Sequence, residues 1–160
     1  MPDLDSLLQG GYLKGSTTLI SGAPGTAKST LATAFALSSA QSGHRTLYVS
    51  FDETERQIAL HMASVGYHVR PEVEAGNLRL APLQAHGLPP EVHVSNILRA
   101  VDEFHAEVVI IDPISGIMQR SHSFMSRTTE YLLAQLRDRG ITMPCTTLLD
   151  RTTTAAVGWR

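Results

Sequence analysis

Thr17-Thr18-Leu19-Ile20-Ser21, a β-branched apolar run, feeds into the small-residue loop Gly22-Ala23-Pro24-Gly25-Thr26-Ala27-Lys28-Ser29-Thr30, which opens straight into a helical pattern at Leu31. A strand, loop and helix in such close succession aim consecutive backbone N–H groups and the positive end of the helix at one spot, where a polyphosphate replaces the missing partners. Gly22, Lys28 and Ser29 match the phosphate-loop pattern G-x-x-x-x-G-K-[ST], while Ala27 stands where the second glycine is usual. Lys28 offers a point charge for terminal phosphates, and Ser29 a hydroxyl for the magnesium ion that bridges them. The chain holds two lysines, Lys14 and Lys28, so one at this position is no by-product of a lysine-rich composition. An alanine forced to positive φ costs on the order of 1–2 kcal/mol. Micromolar nucleotide binding is worth roughly 8 kcal/mol, so Ala27 is expected to weaken the site without abolishing it.

The rest of the chain alternates strand and helix. Leu4, Leu7 and Leu8 predict a short helix stopped at Gly10-Gly11. After the loop, Leu31, Ala34, Phe35 and Leu37 predict a helix with one apolar face, capped at Gly43. Residues 45–51 read as a second strand. Thr54 and Gln57 form a capping box for a helix with Ile58, Met62 and Val65 on one face, closed by Gly66. A helical turn over 70–76, a third strand over 77–81 and a loop over 82–90 follow. Val94, Ile97, Leu98, Val101 and Phe104 predict a helix from Glu91. Val108-Val109-Ile110-Ile111-Asp112 is a continuous apolar run of the kind buried on both faces of a parallel sheet. Residues 116–124 read as a loop, Leu132, Leu133 and Leu136 place a helix over 129–139, and residues 141–149 form a fifth strand. Pro144 inside that strand cannot donate a ladder hydrogen bond, which argues for an edge strand or a bulge. The tail over 151–160 shows no clear period and is a candidate for disorder.

This alternation implies right-handed βαβ crossovers and an α/β fold of three layers, a mainly parallel sheet with helices on both faces. Ligands in such sheets bind beyond the carboxyl ends of the strands. Those ends carry the Gly22–Ser29 loop, Asp52-Glu53, Asp112 and Thr146-Thr147. Asp112 is placed to orient water on a magnesium ion held by Ser29, or to act as a turn aspartate before Pro113. Asp52 or Glu53 is placed to orient and deprotonate the water that attacks a γ-phosphate, or to stabilise the dipole of the helix starting at Thr54.

Composition narrows the classes. A formal charge of −2 with 18% charged residues lacks the basic excess of an electrostatic nucleic-acid binder, although Arg120, Arg127, Arg137, Arg139 and Arg151 make the last third locally basic. The seven histidines have no tight ligand spacing, and the single cysteine, Cys145, excludes an internal disulfide. No window approaches 18 apolar residues and the acidic N-terminus lacks a signal-peptide run, so a cytoplasmic protein without a membrane partner is expected.

With these residues laid out, the chain resembles the KaiC/RecA family of P-loop ATPases, most closely a KaiC-like ATPase domain. The resemblance rests on Leu8-Gln9-Gly10-Gly11-Tyr12-Leu13-Lys14-Gly15 ahead of the first strand, the Gly22–Ser29 loop, Phe51-Asp52-Glu53-Thr54, Val108–Asp112 and Thr146-Thr147. It implies a RecA-like P-loop NTPase core over 1–150, ATP and Mg2+ as ligands, and self-association into a hexamer. It implies that the first of the paired acids activates water. Asp52 is one methylene shorter than the glutamate usual there, which leaves the base open between Asp52 and Glu53. A similar Gly-Thr-Ala-Lys-Ser loop in minichromosome-maintenance helicases makes Ala27 compatible with ATP binding. Family domains continue past strand five with further strands and a basic finger that reaches the neighbouring nucleotide. The chain therefore reads as a truncated domain with slow hydrolysis, its fifth strand at an unprotected edge. The alternatives are a non-enzymatic nucleotide-dependent assembly or signalling module and a recombinase-like DNA-dependent ATPase.

Overall fold

A computed structural model describes residues 13–83, 87–117 and 127–148. The predicted helix at Leu4, Leu7 and Leu8, the Gly10-Gly11 lead-in, the end of the core at residue 150 and the tail over 151–160 lie outside these residues. Among the described residues five strands form one parallel sheet: β1 (Thr17–Gly22), β2 (Thr46–Ser50), β3 (Leu78–Pro82), β4 (Val108–Asp112) and β5 (Met143–Leu148). Among the described residues five α-helices connect them: α1 (Lys28–Gln41), α2 (Glu55–Ser64), α3 (Arg70–Glu74), α4 (Pro90–Phe104) and α5 (Arg127–Asp138).

Because alternate side chains of a strand point to opposite faces, β2 and β4 each feed two cores. Tyr48 and Ile110 face α1, α2 and α3, against Ala32, Ala36, Ala40, Ile58 and Met62. Leu47, Val49, Val109 and Ile111 face α4 and α5, against Val94, Ile97, Val101, Leu132 and Leu136. The sheet therefore lies between two helix layers, as the alternation of strand and helix implies. All five residues of β2 and of β4 are buried, the signature of a parallel sheet covered on both sides.

The expectation that β5 lies at an edge is wrong. The strand order is β1-β5-β4-β2-β3, so β5 is inserted between β1 and β4, and β1 and β3 are the edges. Pro144 is tolerated there for a local reason. Met143 N donates to Ser16 on the β1 side and Thr142 N donates to Glu107 on the β4 side, so by alternation the Pro144 nitrogen faces β4. The β4–β5 ladder is thinned at that point: Val108 pairs with Thr142 and Ile111 with Cys145, with no pairing between them, whereas β5 pairs with β1 along its whole length.

Two helix faces also differ from expectation. On α1 Ala34 and Leu37 are buried as expected, but Leu31 and Phe35 are half-buried and the fully buried positions are Ala32, Ala36 and Ala40, whose small side chains let the helix lie close on the sheet. On α2 Ile58 and Met62 are buried, but Val65 is exposed beyond the last turn. The capping box forms: Gln57 N donates to Thr54 Oγ1, and Thr54 N donates to Gln57 Oε1.

Candidate functional site

The carboxyl ends of β1, β2, β4 and β5 open into one cleft of about 500 Å³. Every residue from Pro24 to Thr30 lines it, together with Asp52, Glu53 and Asp112. Gly22 and Ala23, at the end of β1 and the start of the loop, are not among the residues that line it.

The loop owes its shape to two left-handed residues, Gly25 at φ +79° and Ala27 at φ 59°. Alternation of this kind turns successive N–H groups toward one concavity. Ala27 is also the N-cap of α1, and among the described residues no side chain caps that end and no acidic residue stands in the first turn. Gly22 is required by a close approach: a Cβ there would lie 2.6 Å from Thr26 Oγ1, which is held 2.8 Å from the Ala23 carbonyl oxygen. Lys28 Nζ donates to that same carbonyl at 2.8 Å.

On the opposite wall Asp112 is buried, and both of its oxygens are engaged. Tyr48 donates its hydroxyl to Oδ2 at 2.5 Å, and Thr146 donates to Oδ1. Burial, followed by the Asp112 charge, pushes the Tyr48 phenol far above its ordinary value, so it remains a donor. Glu53 is half-buried; its N–H donates to Ser50 Oγ at 3.0 Å, and His61 Nδ1 lies 2.6 Å from its Oε1. Among the described residues no hydrogen bond engages the Asp52 carboxylate. Its partial burial, and then the charge of Asp112, raise its proton affinity above that of an ordinary aspartate.

Sequence reasoning missed Thr33, Tyr48 and His61. Thr33 and His61 line the cleft from helix positions that no loop motif covers, and Tyr48 reads as one more apolar β-former inside a buried strand. Thr146 was legible only as the polar end of a strand.

The family model for the KaiC ATPases matches residues 1–156. Among curated proteins, circadian clock protein KaiC2 from Synechocystis is 30% identical over 141 residues, covering 84% of this chain and 25% of that protein. DNA repair protein RadA from the same organism is 34% identical over 118 residues, covering 72% of this chain and 23% of the relative. RadA from Mycobacterium tuberculosis is 48% identical over a shorter stretch of 64 residues, 40% of this chain and 13% of the relative. The chain spans about a quarter of the length of the first of these relatives.

Proposed function

The chain belongs to the KaiC ATPase family, and we propose that it binds ATP with Mg2+ in the cleft above β1, β2, β4 and β5 and hydrolyses it slowly. One observation carries this reading: the loop with Lys28 and Ser29, the acids Asp52 and Glu53, and the strand-end Asp112 converge on a single cleft. In this reading the N–H groups of residues 22–30 and the Lys28 ammonium hold the phosphates. The donor chemistry suits magnesium, which takes few protein oxygens and keeps several waters: the Ser29 hydroxyl would bind it and the Asp112 carboxylate would hold its water. When bound, the ion neutralises charge on the phosphates.

Asp52 is the better candidate for orienting and accepting a proton from the attacking water, because its carboxylate has no hydrogen bond among the described residues and a raised proton affinity. Glu53 is held by His61. By the family resemblance a basic finger reaches the nucleotide from a neighbouring subunit, and an arginine acting at the phosphates is worth about 10³–10⁵ in rate, so slow hydrolysis is expected of an isolated chain. Self-association into a ring belongs to this reading through the family resemblance alone.

Calorimetric titration of ATP with Mg2+ tests it. The expected result is micromolar binding, weakened by at least about tenfold in Lys28→Ala, since one charge-assisted hydrogen bond is worth about 1.5–3 kcal/mol. Replacing Asp52 and Glu53 with their amides should abolish hydrolysis; an unchanged rate would leave a nucleotide-dependent assembly or signalling module. The similarity to RadA favours one further reading, a DNA-dependent ATPase. Stimulation of hydrolysis by single-stranded DNA, weakened by salt, would establish it.

A further inference from the structure

Strand β2 is buried at all five positions, so an apolar side chain would serve at each of them. Tyr48 nevertheless carries a hydroxyl into the layer between the sheet and α1, 1% exposed, where an unbonded hydroxyl would be costly. Its partner is set by register. Tyr48 pairs with Ile110, and Asp112 lies two residues farther along the same face of β4. Two residues rise about 6.6 Å, a span that the length of a phenol side chain bridges and that a serine or threonine would not. The hydroxyl meets Asp112 Oδ2 at 2.5 Å while Thr146, on β5, donates to Oδ1. A buried polar chain thus runs from β2 to β4 and β5.

We propose that Tyr48 is a positioning residue: with Thr146 it fixes both oxygens of the Asp112 carboxylate, so that the lone pairs left over would be available to a divalent cation, or to its water, bound in the cleft that Asp112 lines. This deepens the ATPase reading and rests on it. A carboxylate oxygen accepts two hydrogen bonds, so each oxygen clamped from inside the sheet keeps one acceptor site for the cleft. Tyr48 acts through Asp112 and touches neither the nucleotide nor the ion.

The test is Tyr48→Phe, which keeps the ring and removes one oxygen. ATP affinity is measured by calorimetry in EDTA and in Mg2+, and Asp112 is examined in a crystal structure of the variant. In EDTA the variant should bind ATP within about twofold of the parent, because the phosphate loop is untouched. The extra affinity conferred by Mg2+ should fall at least about fivefold, and the Asp112 carboxylate should turn or occupy two conformers. Thr146→Val should lose the Mg2+ increment as Tyr48→Phe does, and Thr146→Ser should retain it. The two donor deletions combined should cost less than the sum of their separate effects, since they act on one carboxylate. An undiminished Mg2+ increment in Tyr48→Phe, or an Asp112 side chain that stays in place, overturns the proposal. A parent chain that binds no ATP overturns the ATPase reading and the metal role with it, whereas parental binding with an unaffected variant overturns this proposal alone.

Discussion

Lys28 Nζ lies 2.8 Å from the carbonyl oxygen of Ala23, and Thr26 Oγ1 lies 2.8 Å from the same atom. One carbonyl therefore collects two donors from its own loop and holds the backbone between residues 22 and 28 in the shape that Gly25 and Ala27 make possible. The left-handed conformation of Ala27 belongs to that folded shape, at φ 59°.

Its strain should then weigh on folding and leave affinity nearly untouched, which revises the expectation that Ala27 weakens the site. Ala27→Gly removes about 1–2 kcal/mol of left-handed strain and returns about 0.4–1 kcal/mol to the unfolded chain as added freedom. Urea denaturation should show a net gain between about 0 and 1.6 kcal/mol, and ATP affinity should change less than about threefold. A gain in affinity of tenfold or more would place the strain in the binding step.

Much of the fold was legible because its strongest signals are local. The loop motif, the Thr54/Gln57 box and the four-residue apolar run closed by Asp112 are each decided by neighbours in the chain, and each lies where the sequence puts it. The errors concern spatial order. Pro144 announces a missing ladder bond, but the sequence does not say which neighbour loses it, and β5 turned out to lie inside the sheet with its gap toward β4. The candidate site shows the same division. Its loop and strand-end acids follow from motif and pattern, while Tyr48 belongs to it only because the register sets it opposite Ile110, within reach of Asp112.

Asp52 gives a pH prediction whose sign follows from linkage. Partial burial and then the Asp112 charge raise its folded value above 3.8, so the fold favours the protonated form. The stability this confers is present below the unfolded value and is lost as pH rises through the folded one. Asp52→Asn removes the dependence. At pH 7 the variant should be more stable than the parent by a small margin, because the side chain is largely solvated and screened. As pH falls through the raised value toward 3.8 the two should converge. Chemical denaturation at a series of pH values checks this, and parallel stability curves would contradict it. If Asp52 accepts the proton of the attacking water, the same variant should hydrolyse ATP about 10²–10⁴ times more slowly, with ATP affinity preserved.

Phe51 immediately precedes Asp52, and its ring is wedged. It meets His93 edge-on, with centroids 5.3 Å apart, and a Cβ added at Gly116 would fall 2.3 Å from its Cγ. The backbone cannot yield easily, since Phe51 N donates to the Asp112 carbonyl oxygen at 2.9 Å and Leu83 N to that of Ser50 at 2.7 Å. Gly116→Ala therefore overpacks a closed corner and should destabilise the fold by about 1–3 kcal/mol. Because the corner carries Asp52 and the phosphate loop lies on another strand, the expected kinetic signature is a lower kcat for ATP with little change in ATP affinity. Phe51→Leu, combined with Gly116→Ala, frees the space that the methyl needs, and the pair should be more stable than the sum of the separate losses predicts. Strict additivity in the double variant would mean that Gly116 and Phe51 are not in the contact described, and that the turn bearing Asp52 is held by something other than this ring.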